Sequence, residues 1–394
     1  MTNKQGKIEK LITQLCPKGV DFKELDDLLD YEQPGDYIVN SIEYSNDFAT
    51  PVLTAGQSFV LGYTDETEGI YEASKDKPVI IFDDFTTSFH WVDFKFKVKS
   101  SAMKMLRPKQ NAGVNFRFLY YAMKCINYTP TDHARHWISQ YSKFKIPLPP
   151  LAIQNEIVKI LNNFTELEAE LEAELEARKK QYNHYRSKFL EFGKDIKWAK
   201  FGESAKIVRG GSPRPINNYF TKEENGINWI KIGDVEKGSK YITQTLQKIK
   251  PEGAQKSRFV KKGDFVLSNS MSFGRPYILK IDGCIHDGWL SISDFNKTYI
   301  SDFLYHLLSS DAVYQTMTQK ASNGTVQNLN AEIVKSLLLP IPTITQQENI
   351  VIILDKFEKL VNDISIGLPA ELAARRSQYE YYRNKLLSFK EYAN

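Results

Sequence analysis

Three stretches of the sequence carry side chains suited to holding a ligand rather than transforming one. Arg209, Arg214, Asn217 and Tyr219 lie in the first. Ser268, Asn269, Ser270, Ser272 and Arg275 lie in the second, and Asn323, Thr325, Gln327 and Asn328 in the third. Arg, Asn and Gln can each present two hydrogen bonds to a base edge, whereas Lys, Ser and Thr suit phosphate oxygens. Taken singly, each is ordinary loop polarity. As a set, on the basic span 194–340, they point to nucleic-acid contact. In the first half, Lys95, Lys97 and Lys99 alternate with Phe94, Phe96 and Val98. That alternation predicts a strand with one basic and one apolar face. His133, Arg135 and His136, in TDHARHW, read as further hydrogen-bonding groups at the surface.

The tools of catalysis are missing. No Gly-x-x-x-x-Gly-Lys-Ser/Thr phosphate loop occurs, and no Gly-x-Gly-x-x-Gly follows a strand. The Gly210-Gly211-Ser212-Pro213 turn has the wrong spacing and no following Lys, and no Asn/Asp-Pro-Pro-Tyr/Phe methyltransferase motif appears. Asp234-Val235-Glu236-Lys237 resembles half of a nuclease metal site but lacks a partner acid, so it reads as a turn. His133 and His136 stand at i, i+3 without a Cys or acid to complete a metal set. The three cysteines, Cys16, Cys125 and Cys284, are scattered, as in a reduced compartment. No apolar run approaches the ~20 residues of a membrane span. A cytoplasmic location is expected. The net charge of +4 hides an uneven distribution. Acids dominate up to about residue 92, among them Asp26, Asp27, Asp30, Glu32 and Asp36. Lys95, Lys97, Lys99, Lys104, Arg107, Lys109 and Arg117 then reverse the balance, so the basic stretch after residue 93 is the expected binding face of the first half.

The elements that must position these groups are written twice. IPLPPLAIQNEIVKILNNF (146–164) aligns with LPIPTITQQENIVIILDKF (339–357), and QYNHYRSKFLEF (181–192) with QYEYYRNKLLSF (378–389). FLYY (118–121) echoes FLYH (303–306), SFH (88–90) echoes SFG (272–274), and VDFKEL (20–25) faintly echoes IKWAKF (196–201). The unit is a variable globular part, a Pro-x-Pro hinge and a helical part. In the second copy Thr345-Gln346-Gln347-Glu348 reads as a capping box, with Ile350, Ile353, Leu354, Phe357 and Leu360 at helical spacing behind it. In the first copy TELEAELEAELEA (165–177) repeats a four-residue phrase built wholly of strong helix formers. It predicts one helix to about Phe192. The second copy is interrupted at Gly367-Leu368-Pro369. In the globular parts PVIIF (78–82), HWVDFKFKV (90–98), DFVLSN (264–269) and PYILKI (276–281) read as strands, while FRFLYYAMKCI and SDFLYHLLSS read as helices.

In these repeated blocks, and in the opening CPKGVDFKEL, the chain resembles the specificity subunits of type I restriction–modification systems along essentially its whole length. The resemblance implies an α/β (α+β) fold: two mixed α/β target recognition domains separated by two long antiparallel helical regions, with a pseudo-twofold internal repeat. On that pattern residues 1–145 form the first recognition domain, 146–192 the central helical spacer, 193–338 the second recognition domain and 339–394 the C-terminal helical region. Each recognition domain would read one half of a bipartite site on double-stranded DNA. The subunit would carry two modification (methyltransferase) subunits, which restriction subunits join. No cofactor is expected in this chain, since S-adenosylmethionine, ATP and Mg belong to the partner subunits. Arg209, Arg214, Asn217, Ser270, Arg275, Asn323, Gln327 and Asn328 are the expected DNA contacts of the second half. Lys95, Lys97, Lys99, His133, Arg135 and His136 are those of the first. The recurring Gln154, Gln347, Tyr182, Tyr185, Arg186, Tyr379, Tyr382 and Arg383 are the expected docking residues.

The repeated phrase then becomes a spacer. One phrase lengthens a helix by about 6 Å and turns its end by about 40°, close to the roughly 34–36° twist of one base pair. The alternatives are a coiled-coil scaffold without a DNA role, which predicts no salt-dependent DNA binding, and a self-sufficient methyltransferase or nuclease, which would need a cofactor motif.

Overall fold

The computed structural model describes residues 6–54, 59–110, 112–236, 238–269, 272–321, 329–362 and 367–392. The long phrase-repeat segment is one helix, Leu151–Phe189, of 39 residues, about 58 Å at 1.5 Å per residue. Leu167, Leu171 and Leu175 form its half-buried stripe, and most of the glutamates between them face solvent. Two local pairs, Arg178–Glu174 and Lys179–Glu176, both 2.7 Å, reinforce it. The second copy forms two helices, Ile344–Asn362 and Leu368–Leu386.

The chain divides into two compact units. One holds the residues up to Glu168 together with those from Arg375 on, and the other holds Ala169–Ala374. The division falls inside the repeated phrase and inside the last helix.

The first unit contains a four-stranded sheet in the order Leu29–Glu32, Met103–Pro108, Val79–Asp83 and Phe89–Val92. Beside it lies a three-stranded sheet of Val60–Thr64, Thr50–Leu53 and Lys97–Val98. Phe82, Leu106, Phe118, Tyr121, Trp137 and Ile157 share one core beneath the larger sheet. The second unit contains two five-stranded sheets. One runs Lys206–Arg209, Trp289–Ser293, Phe265–Ser268, Pro276–Leu279, Tyr241–Ile242. The other runs Phe220–Thr221, Lys248–Ile249, Ile227–Ile230, Gly283–Ile285, Arg258–Val260. Phe201, Phe265, Leu290, Phe303, Leu304 and Leu354 anchor its main core. The expected helices appear as Phe116–Met123 and Ser301–Leu308.

The repeat holds at atomic detail. Asp21–Glu24 pairs antiparallel with Lys145–Leu148, setting Phe22 opposite Pro147. Lys197–Lys200 pairs with Leu338–Ile341 in the same register, setting Trp198 opposite Pro340. The first proline of each Pro-x-Pro, Pro147 and Pro340, therefore lies in a strand, and the second follows the strand's end. A two-stranded ladder has only edges, where a proline costs no inner hydrogen bond.

Gln154 and Gln347 sit just behind these strands and are fully buried. Gln154 donates from Nε2 to the Pro149 carbonyl (2.7 Å) and accepts from the Asn115 amide (2.8 Å). Gln347 donates to the Pro342 and Thr298 carbonyls (3.0 and 2.9 Å) and accepts from the Ile300 amide (2.9 Å). Asn115 and Ile300 are the residues that open the FLYY and FLYH helices. Each glutamine thus ties the start of its long helix to the globular part of its own copy.

The ends of the helical parts cross over. Tyr379, from the second copy, packs against Tyr121 of the first at 6.5 Å between ring centroids. Tyr182, from the first copy, reaches His306 of the second, Oη to Nδ1 3.4 Å. Phe164 stacks on Tyr382 (5.7 Å) as Phe357 stacks on Tyr185 (5.3 Å). Each unit is thus completed by the helix end of the other repeat.

Two sequence readings change here. The capping box of the second copy is Thr343 with Gln346. The Gln346 amide donates to Thr343 Oγ1 (3.3 Å) and the Thr343 amide to Gln346 Oε1 (2.9 Å), so the helix begins one residue before Thr345. Residues 90–98 are not one strand. The strand Phe89–Val92 stops at a bend around Phe94, and Lys97–Val98 pairs into a different sheet.

Candidate nucleic-acid interface

The bend at Phe94 undoes the basic face expected of Lys95, Lys97 and Lys99. Lys97 is buried, with Nζ on Glu66 (2.9 Å) and the Glu68 carbonyl (2.6 Å). Its role is structural. The Ser41 amide, and then Lys97, hold the Glu66 carboxyl below its ordinary value. Lys95 is exposed and paired with Glu72 (2.6 Å), and Lys99 is half-buried over the Tyr44 ring. Much of the local positive charge is consumed in the same way. Lys104 is buried against Asp84 (3.1 Å), Arg107 pairs with Glu32, and Arg117 lies among Trp91, Tyr120 and Tyr121.

His133 and Arg135 are exposed, as expected. His136 is not a surface group. It is 4% exposed, with Nδ1 3.0 Å from the Tyr128 hydroxyl and Nε2 3.3 Å from Asp132 Oδ1. Its amide donates to the Asp84 carbonyl (2.8 Å). One turn of helix starting at residue 136 places its ring and Trp137 inward and leaves His133 and Arg135 outside.

The second unit builds its loops differently. The strand Lys206–Arg209 delivers Arg209 to the surface, and the turn 210–213 follows at once. The Gly210 amide donates to the Trp289 carbonyl (2.8 Å) and the Gly211 amide to the Ile285 carbonyl (3.2 Å). A Cβ at Gly210 would run into the His286 carbonyl, so the glycine permits a close approach of two backbones. Ser212 donates to Asp287 Oδ1 (2.7 Å), and Arg214 Nη2 lies 3.7 Å from Asp287 Oδ2. Arg209 Nε donates to the Asp287 carbonyl (3.2 Å), and Asn269 Nδ2 donates to the same oxygen (2.8 Å). Two separate stretches, 209–214 and the one at Asn269, therefore meet at residue 287.

Around this hub Arg214 is 83% exposed and Asn217 is exposed, so both are free to reach a ligand. Arg275 is exposed, with its guanidinium over the Tyr277 ring. Ser212, before any other group, holds the Asp287 carboxyl below its ordinary value. Burial pushes the neighbouring His286 down, against the pull of Asp287, which favours the neutral ring. Ser270, Asn323, Gln327 and Asn328 lie outside the described residues. Sequence reasoning missed Asp287. The His286-Asp287-Gly288 tripeptide is a turn signal, but nothing in its spacing announces partners some 75 residues upstream.

Among the described residues one set could hold a metal by proximity: His306, Asp355 and Glu358. A cation already sits there. Lys240 Nζ lies 3.0 Å from Asp302, 3.4 Å from Asp355 and 3.5 Å from Glu358. Burial alone would push its ammonium down, but the carboxylates, Glu358 foremost, hold it well above its usual value. His306 Nε2 meets Asp355 at 2.9 Å, as Tyr121 meets Asn162 at 2.7 Å in the other copy. The arrangement is a half-buried ion network tying the helix Ser301–Leu308 to the helix Ile344–Asn362. Asp234 is likewise structural, accepting from the Lys231 and Leu246 amides (2.7 and 3.1 Å). Lys237 lies outside the described residues.

The expected docking residues also sort by burial. Gln154 and Gln347 are internal clamps and leave no atom for a partner. Tyr182 is 5% exposed, and burial drives its hydroxyl up to about 12. Tyr185, Arg186, Tyr379 and Arg383 are half-buried, while Tyr382 is exposed. Tyr382 opens onto a groove of about 530 Å³ with Ile12, Ile160, Phe164 and Leu386. No helix among the described residues is long and apolar enough to cross a membrane.

The comparisons with known proteins agree with this architecture. The family model "Type I restriction modification DNA specificity domain" matches twice, at residues 17–177 and 194–374. The EcoR124I/EcoR124II specificity subunit of Escherichia coli is 39% identical, covering 94% of each chain. A putative type I specificity subunit of Haemophilus influenzae, S.HindORF215P, is 32% identical over 84% of this chain and 86% of its own. Two solved structures share the fold at 15% identity. One comes from work on assembly and conformational transition of the type I R-M system, with TM-score 0.61, covering 95% of this chain and 98% of that one. The other is a type I S subunit from M. genitalium, with TM-score 0.52, covering 94% and 96%. A family model that matches the two repeats separately, and a relative similar from end to end, give one conclusion: the chain belongs to the family of type I restriction–modification DNA specificity subunits.

Proposed function

We propose that each unit reads one half of a two-part site on double-stranded DNA, and that the second unit does so through the loops gathered at residue 287. As a specificity subunit the chain supplies sequence recognition to a type I restriction–modification system and performs no chemistry alone. The observation that carries the finer reading is the convergence of Arg209, Arg214 and Asn269 on one backbone turn, with Arg214 and Asn217 free to reach outward. Arg and Asn are the side chains that distinguish guanine and adenine in the major groove.

In the same reading the chain docks two modification subunits, and restriction subunits join them. Tyr382, exposed beside an apolar groove, is the favoured docking residue of the original set. S-adenosylmethionine, ATP and Mg act in the partners, and the assembly works in the cytoplasm. A map of modified bases in the host genome, with and without this gene, tests the reading. Loss of methyl-adenine at a single two-part motif is expected. An unchanged map, with the partner subunits expressed, would contradict it.

A further inference from the structure

The turn 210–213 carries an arginine at each end; the Gly210 and Gly211 amides and the bond from Ser257 Oγ to the Gly211 carbonyl (2.6 Å) hold its first half. It contains two glycines, and Arg209 and Arg214 both face solvent. Ser212 joins its second half to the 286–288 turn, Oγ donating to Asp287 Oδ1 (2.7 Å) and accepting from the Asp287 amide (3.4 Å). The ion pair from Arg214 to Asp287 is 3.7 Å long and exposed on both sides, so it adds little energy by itself. The bond from Arg209 goes to the Asp287 backbone, not to its carboxylate. The Asp287 side chain therefore acts chiefly by fixing the turn.

From this arrangement we infer that Asp287 is a specificity-determining positioning residue: through Ser212 it sets the direction from which Arg209 and Arg214 approach the bases of one half-site. This rests on the DNA reading given above. Asp287 needs no contact with DNA in this role. A reader held by a flexible turn can reach more than one base edge, whereas a fixed one pays its ordering cost before binding and discriminates better.

The test uses the full chain assembled with its modification subunits. Methylation rates are measured on duplexes varied at each half-site in turn. Asp287→Ala and Ser212→Ala are each expected to reduce discrimination at one half-site by roughly tenfold, about the value of one well-placed base contact. The double variant should be no worse than Ser212→Ala alone, since that change already removes both bonds between Ser212 and Asp287. Asp287→Asn keeps an oxygen acceptor for Ser212 and should stay close to the parent. The other half-site should remain strict in every variant, a pattern that general destabilisation would not produce. Unchanged discrimination in Asp287→Ala or Ser212→Ala, while Arg209→Ala or Arg214→Ala loses it, would overturn the positioning role and leave the DNA reading standing. Unchanged discrimination in the two arginine variants as well would overturn both.

Discussion

At the scale of single residues, type and burial give different answers for the same side chain. Lys97 and Gln347 have the chemistry of binding residues, yet both are spent inside the fold. Removing Gln347 would strand the Ile300 amide and the Thr298 and Pro342 carbonyls. Gln347→Ala should therefore cost on the order of 3 kcal/mol of stability, measured by denaturant unfolding; a docking residue would leave stability unchanged. The Glu66–Lys97 pair makes a prediction about pH. The folded carboxyl titrates below its ordinary value of 4.5, so its stabilisation is complete above that value and is lost as pH falls through the folded one. Glu66→Gln should be less stable than the parent at neutral pH, and the gap should close in acid. A gap that persists unchanged in acid would show that the charge is not what stabilises.

Helices and strands were more legible than the faces they present. The phrase repeat announced a helix because each of its residues favours one, and the helix forms without interruption. Its length is open to experiment. Deleting Leu171–Glu174 removes about one turn, or 6 Å, and should change the gap between methylated half-sites by about one base pair. An unchanged motif would mean that the helix does not set the gap. The strand expected over 90–98 failed because period-2 alternation assumes an unbroken pleat. A bend at Phe94 ends the pleat, and the lysines after it point in unrelated directions.

Considered whole, the molecule is a duplicated chain whose repeats complete one another. The last helix closes the first unit through Tyr379, and the end of the central helix closes the second through Tyr182. A net charge of +4 is small for a DNA-binding protein, so affinity must come from local phosphate contacts. The assembled complex should lose DNA affinity by roughly a thousandfold between 50 and 200 mM salt if about six phosphates are held. Affinity that ignores salt would favour the scaffold reading instead.

The sequence by itself determined the duplication, the helical phrase, the positions of the helices Phe116–Met123 and Ser301–Leu308 and the family, because all of these are periodic or local and leave their mark on neighbouring residues. Only the tertiary structure decided which polar groups face outward. Lys97, Lys104 and His136 turned inward, while Asp287 became a hub through contacts with residues far upstream. Burial depends on where distant segments meet, and no local pattern encodes that meeting.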